Sequence, residues 1–545
     1  MYSKPANYKQ FFYLAPAFAL WIFISLPFIN FYLLHVDTSV YILCAKGVLN
    51  GAVPYLDFWD HKPPLVYFLF ALILKMCGPH NYRAINYLTL CFSLTSTTIL
   101  FLIARKLTRK DMRAGIIAMF FPVLTFMFTS RDAVNPNTEI YMETFSLAAV
   151  YIALTAVSRR KSSMMFCSGV CIAMASGFKQ PAAVMLPVIC ATHLIYYARR
   201  KEWKYILIGN LNCISGFVAV WVFIALYFYL HGGLSQFWFQ CFQFNFMYSS
   251  AMPKDQVMRS LIHIYTDFMK SNTVFFVPYL IGIIWVVYSL IWREILFRYW
   301  FFLLFLLIWH IADTIGVSAG GIFFSHYFIQ WIPSILLITF IPLFDLLDNL
   351  TVSRKWLFWL IVTIYCIGGV YVFVAPQYSG SRWQYRSPFY YYTYKNKWIS
   401  GMGDTFYRYP YHYAPKRYWQ IKRLVTAIRS ETEPSQPFFV WGFMPELYLL
   451  ASREPASRFL YTSFVTGDFY GLGNLYDTPG IPFKRCEEDI QSQLITDLNI
   501  ARPPVIVTVA SIDSNHARFF AHYLNKYYKP FASGFGEITL YRRKP

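Results

Sequence analysis

The stretch from residue 86 to residue 113 reads NYLTLCFSLTSTTILFLIARKLTRKDMR. Its first part, 86–104, carries no charged residue and is close to the roughly 20 mainly apolar residues that a membrane-spanning helix needs. Its second part, 105–113, contains five Lys or Arg residues. Short basic loops that follow apolar spans are typical of the cytoplasmic side of a membrane. The stretch therefore predicts a span that ends in the cytoplasm.

The same pattern recurs along the chain and predicts eleven membrane spans. The apolar runs are 11–34, 86–104, 114–130, 140–157, 163–178, 181–198, 205–230, 274–292, 299–317, 327–346 and 356–375. Leu65–Leu74 is also apolar, but ten residues are too few to span, so an interfacial or re-entrant segment is expected there. If it were counted as a span, every basic loop after the first would lie on the outer side. That would contradict the rule that short basic loops face the cytoplasm.

Composition and charge agree with a multi-pass membrane protein. Of the 545 residues, 57% are hydrophobic and 14% are charged, whereas soluble domains carry about 25% charged residues. The net charge of +21 is assigned to the cytoplasmic loops, since no zinc-finger, helix-turn-helix or RNA-binding signature accompanies it. We therefore expect membrane lipids and no nucleic acid among the partners, a plasma-membrane location, a cytoplasmic amino terminus and an outer carboxyl terminus.

Two domains are predicted, with the boundary after residue 375. Residues 1–375 form the membrane domain, and 376–545 form an outer α/β domain that is large enough for its own core. Strands are expected at 438–441, 505–509 and 537–541, and helices at 418–429 and 515–527. Residues 378–418 contain eleven tyrosines among basic residues. This segment is interpreted either as an aromatic belt at the interface or as a sugar- and phosphate-binding surface.

The first outer loop carries the clearest candidates for chemistry. Asp37 precedes a predicted amphipathic surface helix over 38–50, where it is either a helix cap or a general base. Lys62 precedes Pro63 and Pro64, which are suited to the first turn of a helix. Its ammonium group either binds a lipid phosphate at headgroup depth or simply extends from the membrane interface towards water.

Further polar residues lie in the other outer loops. Asp132 and Glu139 flank the start of a span, where acidic groups usually face a polar cavity, although Arg131 is an alternative partner for one of them. Lys179 lies on the outer side, against the general charge trend, which favours an anionic ligand. His326 lies in the loop before the tenth predicted span, and a lone histidine there is more often structural than a metal ligand.

Together these segments resemble the GT-C glycosyltransferases that use polyprenyl-linked sugars, in particular the bacterial branch of the lipid A aminoarabinose transferases and the protein O-mannosyltransferases. The matching pieces are Asp37-x-x-x-Tyr41, Gly51-x-x-Pro54-Tyr55-x-Asp57, Lys62-Pro63-Pro64-Leu65, Asn135 to Glu139, Gly177-x-Lys179, His326-Tyr327 and Val440-Trp441-Gly442. The resemblance implies an α-helical multi-span membrane protein of the GT-C type, with interfacial helices in its first outer loop and the outer α/β domain.

The resemblance also implies the reaction, the partners and the roles of individual residues. A sugar passes from a polyprenyl phosphate donor to an extracytoplasmic glycan, lipid or protein acceptor in the cell envelope, with inversion at the anomeric carbon. Asp37 is the general base, Glu139 or Asp132 is a second catalytic acid, and Lys62 and Lys179 bind the donor phosphate. The candidate substrate-binding residues are Tyr41, Tyr55, Asp57, His61, His326 and Tyr327.

Two features of the sequence depart from the family pattern, and two other functions remain as alternatives. His61 and Thr38 stand where some members have acidic residues, so no cofactor is required by the sequence, and a divalent metal is left open. A secondary transporter would use the acidic residues and Lys179 as an ion pathway, and a non-enzymatic polyprenyl-lipid binding protein would need Lys62 but not Asp37. The sugar and the acceptor are not determined by the sequence.

Overall fold

The computed structural model describes most of the chain as helices. The described residues are 8–29, 36–250, 273–292, 297–321, 323–348, 415–469, 473–474, 483–535 and 538–545, with isolated positions between 255 and 266 and at 356 and 363. The eleventh predicted span, 356–375, and the tyrosine-rich segment 378–418 lie almost entirely outside them.

Long apolar helices dominate the first 350 residues, because a helix satisfies its own backbone hydrogen bonds where water is absent. These helices are α1 (Ala15–Ile29), α2 (Val36–Leu49), α3 (Leu65–Cys77), α4 (Arg83–Thr108), α5 (Asp111–Thr129), α6 (Thr138–Arg159), α7 (Met164–Phe178), α8 (Met185–Ala198), α9 (Trp203–Leu230), α10 (Leu234–Trp238), α11 (Phe244–Ser250), α12 (Thr273–Ile291), α13 (Phe297–Ser318) and α14 (Ile332–Asp348). Ten of the predicted apolar runs coincide with these helices.

Seven helical segments in the described part are long and apolar enough to cross a membrane, and four shorter apolar helices accompany them. The protein is therefore a multi-pass membrane protein, while the count of eleven spans stays a prediction. Leu65–Cys77 is one of the shorter helices. Its 13 residues rise about 20 Å, which is less than the hydrocarbon core, as the sequence predicts.

The chain divides into two compact units, and the first contains most of the apolar helices. It comprises Met1–Asn30, Asn86–Ala225 and Asp255–Gly401. Helices α7 and α9 approach closely in this unit, because a Cβ atom at Gly169 would lie 1.9 Å from the carbonyl oxygen of Cys213. Small residues at such a contact bring two helix backbones together, which is how helices commonly pack in membranes.

In the first unit, arginines in two of the basic segments form ion pairs with acidic residues near other basic segments. Arg113 donates to Asp348 with a nitrogen–oxygen distance of 2.9 Å, and Arg160 donates to Glu202 at 2.7 Å. These contacts join loops that the charge pattern assigns to one membrane side.

The second unit combines the first outer loop with later parts of the chain. It comprises Phe31–Ile85, Leu226–Lys254 and Met402–Pro545. The predicted boundary at residue 375 lies outside the described residues, so the division into 1–375 and 376–545 stays a prediction. Within the second unit the backbone N–H of Trp59 donates to the carbonyl oxygen of Arg458 at 2.9 Å. The ring of Trp59 also packs on Phe464, with their centroids 3.8 Å apart.

The carboxyl-terminal part of this unit is a small α/β fold. Its elements are α15 (Pro415–Glu431), β1 (Phe439–Trp441), α16 (Glu446–Ala451), α17 (Ser463–Thr466), β2 (Asp468–Phe469), β3 (Gly473–Asn474), α18 (Phe483–Ala501), β4 (Val505–Thr508), α19 (Arg518–Tyr527), β5 (Tyr528–Phe535) and β6 (Ile538–Arg543). The main sheet has the order β1-β4-β6-β5, with β1 parallel to β4 and the other pairs antiparallel. The three predicted strands are present, whereas β5 and α18 were not predicted.

Helix α2 differs from the expected amphipathic surface helix. All residues from Thr38 to Ala45 are buried, so the helix has no exposed polar stripe over these two turns. It packs against α3 and α16, which cover its faces. Asp37 lies in its first turn rather than before it, where a carboxylate still interacts favourably with the positive helix end.

Candidate functional site

The first outer loop forms a rigid turn between α2 and α3 that holds the backbone of Lys62. The hydroxyl of Tyr55 donates to the carbonyl oxygen of Lys62 at 2.7 Å, and the hydroxyl of Tyr67 approaches the same oxygen at 3.3 Å. Tyr55 has a φ of 71°, a left-handed conformation that is uncommon for a non-glycine residue. Such backbone strain persists only where the surroundings hold it. We infer that Tyr55 positions Lys62.

Two amide side chains of residues 239–250 clamp this turn. Gln240 donates to the carbonyl oxygen of Tyr55 at 2.9 Å and accepts from the backbone N–H of Asp60 at 3.3 Å. Asn245 donates to the carbonyl oxygen of His61 at 2.7 Å. Side chains that are remote in sequence therefore form hydrogen bonds with the backbone groups of this turn. Buried backbone polar groups require such partners.

Asp60 is the buried carboxylate of this turn, with a side chain that is 1% exposed. Its carboxylate accepts a hydrogen bond from the hydroxyl of Tyr67 at 2.7 Å and one from the backbone N–H of His61 at 2.8 Å. The hydroxyl of Tyr461, from the carboxyl-terminal segment, lies 3.4 Å from it. We define Asp37, Asp60, Lys62, Tyr67 and Tyr461 as the first-loop site.

Burial raises the pKa of Asp60 above its usual range. The positive charge of Lys62 and the hydrogen bonds from Tyr67 and His61 oppose this rise, whereas the negative charge of Asp37 adds to it. Burial and the Asp60 charge raise the pKa of Tyr461 as well, so its hydroxyl remains a neutral donor. Asp60 is thus a single carboxyl group on which the charges of both Asp37 and Lys62 act.

Asp37 and Lys62 are both half-buried, and neither has an oppositely charged side chain within ion-pair distance in the described part of the chain. No hydrogen bond or ion pair joins either charged group to another described side chain. Both residues belong to the second compact unit, although 25 positions separate them in the sequence. The carboxylate and the ammonium group are candidates for ligand binding.

The remaining first-loop candidates have identifiable packing roles. Tyr41 is 2% exposed and packs edge-on against Phe70, with centroids 6.3 Å apart. Asp57 is exposed and accepts from the backbone N–H of Val53 at 2.6 Å, which closes the turn. The ring of His61 stacks on Phe244, with centroids 6.1 Å apart. Contact of these residues with a substrate stays a prediction.

The raised pKa of Asp60 predicts a dependence of stability on pH. A carboxyl group with a raised folded-state pKa is most favourable to folding when it is protonated, so this contribution is lost as pH rises from about 4 through the raised value. Each unit of pKa difference is worth about 1.4 kcal/mol. The side chain in Asp60→Asn stays neutral, so we expect the stability of this variant not to fall in this way as pH rises. Thermal unfolding of both proteins in detergent across this pH range measures it, and parallel curves would contradict the assignment.

A second group of candidates lies in the first compact unit, where three loops between helices meet. Lys179 forms an ion pair with Glu139, and the two side chains are 11% and 3% exposed. The Lys179 nitrogen also lies 3.2 Å from the centroid of the Tyr327 ring, a cation–π contact. Thr138 donates to the other oxygen of Glu139 at 3.1 Å. We define Asp132, Glu139, Lys179, His326 and Tyr327 as the second-loop cluster.

His326 connects the two acids of this cluster. Its Nδ1 lies 3.5 Å from an oxygen of Asp132, and its Nε2 lies 3.7 Å from an oxygen of Glu139. Asp132 also accepts from Ser325 at 2.6 Å and from Asn135 at 3.0 Å. The side chain of Arg131, the alternative partner, lies outside the described part. The sequence-predicted second-loop residues are therefore brought together by three separate chain segments.

Within the described residues, no three His, Cys, Asp or Glu side chains are arranged to hold a metal ion. In the second-loop cluster, the ammonium group of Lys179 already supplies positive charge beside Glu139. The residue roles proposed below use no metal ion.

The sequence reasoning missed several residues of the first-loop site. Asp60, Tyr67 and Tyr461 were not singled out, and neither were the clamping residues Gln240 and Asn245. Asp60 stands two positions before Lys62, and Gln240 and Asn245 interrupt the aromatic stretch 237–248, which is a weak but visible signal. Tyr461 is about 400 positions away from Asp60, and its sequence context carries no such signal.

A family model matches part of the chain. Residues 61–230 match the family described as dolichyl-phosphate-mannose-protein mannosyltransferase. The match covers under a third of the chain and includes His61, Lys62 and all the second-loop residues up to Lys179. A comparison with curated protein sequences finds no match.

Three solved structures resemble the chain at low sequence identity. ArnT from Cupriavidus metallidurans in the apo state is 13% identical over 97% of both chains, with a TM-score of 0.55. The Archaeoglobus fulgidus oligosaccharyltransferase in complex with Zn and sulfate is 13% identical over 95% of this chain and 71% of its own, with a TM-score of 0.49. The same enzyme tethered to an acceptor peptide is 12% identical over 99% and 74%, with a TM-score of 0.48.

The similarity to ArnT identifies the fold of the protein. At this identity, the similarity to ArnT shows the fold, and function has to be argued from the site. The chain is a multi-pass membrane protein with the fold of the GT-C glycosyltransferases, as the sequence resemblance predicts. Its carboxyl-terminal region carries a small sheet, also as predicted.

Proposed function

We propose that this chain transfers a sugar from a polyprenyl phosphate to an acceptor outside the cytoplasm, with inversion at the anomeric carbon. One observation carries the proposal: Asp37 and Lys62 are half-buried charged groups of the same compact unit, and neither has an ion-pair partner among the described residues. The GT-C fold and the family match over 61–230 support a glycosyl transfer reaction of this general kind.

Asp37 is the proposed general base. Its carboxylate accepts the proton of the acceptor hydroxyl while the hydroxyl oxygen bonds to the anomeric carbon of the donor. The bond between that carbon and the phosphate oxygen breaks, and its electron pair leaves with the lipid phosphate. A base must lie within hydrogen-bond reach of the proton it removes, and a first-turn position on a packed helix restricts its motion.

Lys62 is the proposed partner of the leaving group. A lipid phosphate leaves as an anion and needs positive charge more than protonation, which the Lys62 ammonium group supplies. The hydrogen bonds from Tyr55 and Tyr67 to its carbonyl oxygen hold its backbone in place. Preorganised charge of this kind costs no reorganisation during the reaction.

The second-loop cluster contains the other proposed functional residues. Lys179 remains a proposed donor phosphate ligand, and Glu139 or Asp132 is the proposed second acid. Because Lys179 is paired with Glu139 and covered by Tyr327, it offers less free charge than Lys62. We therefore assign the larger share of phosphate binding to Lys62.

The proposed orientation places both groups of loops outside the cytoplasm. The pairing of Arg113 with Asp348 and of Arg160 with Glu202 supports a common side for the basic loops, which the charge rule assigns to the cytoplasm. The acceptor is then a glycan, lipid or protein of the cell envelope, and the location is the plasma membrane.

Replacing Lys62 with Met tests the phosphate assignment. A charge-assisted hydrogen bond contributes about 1.5–3 kcal/mol, so we expect the KM for the polyprenyl-linked donor to rise about 10- to 100-fold. The KM for the acceptor should change little. Initial rates with a radiolabelled lipid-linked sugar, with each substrate varied in turn, measure the difference.

Lys46→Met is the matched control, because Lys46 lies on α2 and pairs with exposed Glu454 at 3.4 Å. Its effect on the donor KM should be small. Equal donor KM values for Lys62→Met and the wild type would reject the assignment. Donor uptake into vesicles without transfer would instead favour the transporter alternative, and donor binding without turnover would favour a lipid-binding protein.

A further inference from the structure

A short segment of the carboxyl-terminal α/β fold packs against the turn between α2 and α3, and both belong to the second compact unit. We define residues 457–464 as the docking segment. The carbonyl oxygen of Arg458 accepts the backbone N–H of Trp59 at 2.9 Å, and Nη1 of Arg458 donates to the carbonyl oxygen of Leu56 at 3.5 Å. The docking segment therefore binds the backbone of the turn just before Lys62.

Aromatic side chains add to this contact. The ring of Trp59 lies against Phe464, with centroids 3.8 Å apart, and stacks on Phe459 with centroids 6.4 Å apart. Phe464 also meets the ring of His61 edge-on, with centroids 5.4 Å apart. Trp59, Phe459 and Phe464 are all buried. Burial of these large rings stabilises the contact in addition to its hydrogen bonds.

One carboxylate fixes the shape of the docking segment. Asp497 lies on α18, and its side chain is 12% exposed. Its oxygens accept from the hydroxyl of Ser457 at 2.9 Å, from the backbone N–H of Arg458 at 3.0 Å, and from Nε and Nη2 of Arg458 at 3.1 and 3.0 Å. Bidentate, charge-assisted hydrogen bonds of this kind are strong and directional. Asp497 therefore holds both the backbone and the side chain of the residue that contacts the turn.

The docking segment also reaches the first-loop site through Tyr461. Its hydroxyl donates to the carboxylate of Asp60 at 3.4 Å, and the same carboxylate accepts from the hydroxyl of Tyr67 at 2.7 Å. The hydroxyl of Tyr67 approaches the carbonyl oxygen of Lys62 at 3.3 Å. A continuous series of hydrogen bonds thus joins the docking segment to the backbone of Lys62.

Another ion pair of the same α/β fold lacks such contacts. Arg542 pairs with Glu431, and the two side chains are 47% and 24% exposed. Neither residue has a hydrogen bond or an ion pair to the turn in the described part of the chain. The pair of Arg458 and Asp497 differs because its arginine also bonds to the backbone of the turn. The two pairs therefore provide a matched comparison within one fold.

We propose that Asp497 is a positioning residue for the first-loop site, which acts through Arg458 to hold the turn that precedes Lys62. The proposal rests on the proposed function, because it takes Lys62 as the ligand of the donor phosphate. Misplacement of a binding group by about 1 Å can cost about 100-fold in rate, so a remote clamp of this kind matters for the reaction. In Asp497→Asn the carboxamide has one acceptor oxygen instead of two, and its NH2 group faces donors of Arg458.

Hydrogen–deuterium exchange of the full-length protein in detergent, read by mass spectrometry, tests whether Asp497 holds the turn. In Asp497→Asn we expect peptides covering 53–62 to exchange about tenfold faster, since one hydrogen bond corresponds to roughly that factor. Peptides covering β4 should keep the wild-type rate. Glu431→Gln is the matched control and should leave 53–62 unchanged. Unchanged exchange over 53–62 in Asp497→Asn would overturn the proposal, and faster exchange in β4 as well would show a general loosening of the fold instead.

Initial rates with a radiolabelled lipid-linked sugar test the connection to Lys62. We expect the donor KM of Asp497→Asn to rise about tenfold while the acceptor KM changes little. Asp497→Glu keeps the carboxylate and should recover most of the donor KM. A wild-type donor KM in Asp497→Asn, despite faster exchange over 53–62, would overturn the positioning of Lys62. A wild type that transfers no sugar would refute the proposed function, and the exchange rates would still decide whether Asp497 holds the turn.

Discussion

Asp37→Asn should abolish sugar transfer while leaving the protein folded. Asparagine keeps the size and the position of the side chain in the first turn of α2, but it cannot accept a proton from the acceptor. General base catalysis contributes about 10²- to 10⁴-fold, so kcat should fall by that factor. The KM for the donor should change much less, since Lys62 is retained. Single-turnover transfer from a radiolabelled polyprenyl phosphate sugar separates the chemical step from binding.

Asp513→Asn is the control for this substitution. Asp513 is exposed in the loop after β4 and bonds only to Ser511 within that loop among the described residues. It should retain wild-type turnover. A normal kcat in Asp37→Asn would remove the base from the mechanism. A loss of kcat together with protein yield would show a structural role instead, because Asp37 also stabilises the positive end of its helix.

Lys179→Met should destabilise the first compact unit. It leaves Glu139 buried without its counter-ion, and breaking a buried ion pair on one side costs about 3–5 kcal/mol. His326 lies 3.7 Å from Glu139 and offsets only part of this loss when it is neutral. Thermal unfolding in detergent, followed by tryptophan fluorescence, measures the shift.

The double variant Lys179→Met with Glu139→Gln should recover most of this stability, since it removes both buried charges together. Lys110→Met is the control for a surface ion pair, because Lys110 and Asp348 are 55% and 52% exposed. Its cost should stay below about 1 kcal/mol. A Lys179→Met protein as stable as the Lys110→Met protein would contradict the buried ion pair.

The membrane helices were predictable because their signal is local. A span such as 86–104 is recognised from its own composition, and the basic residues that follow it assign its side. The predicted run 140–157 lies within α6, and 205–230 lies within α9. The strands at 439–441 and 505–508 were predictable for the same reason, since short apolar runs between polar segments identify buried strands.

Helix α2 shows where local reasoning failed. Its apolar residues repeat at helical spacing, which predicted an amphipathic surface helix. In the structure Thr38 and Ser39 are as buried as Val40, because α3 and α16 cover the faces that the pattern assigned to water. Helix α16 lies about 400 residues after α2 in the sequence, so its contact with α2 cannot be predicted from the periodicity of α2.

The amino-acid sequence is sufficient to predict that this chain crosses a membrane many times and carries acidic and basic side chains in the loops between its spans. Those properties depend on residues that are neighbours in the chain. The structure was needed to show that Asp60 lies buried among groups from three segments of the second unit, and that Glu139 pairs with Lys179. Burial and pairing are set by contacts between remote segments, so the charge state of a carboxyl group cannot be determined from its neighbours in sequence alone.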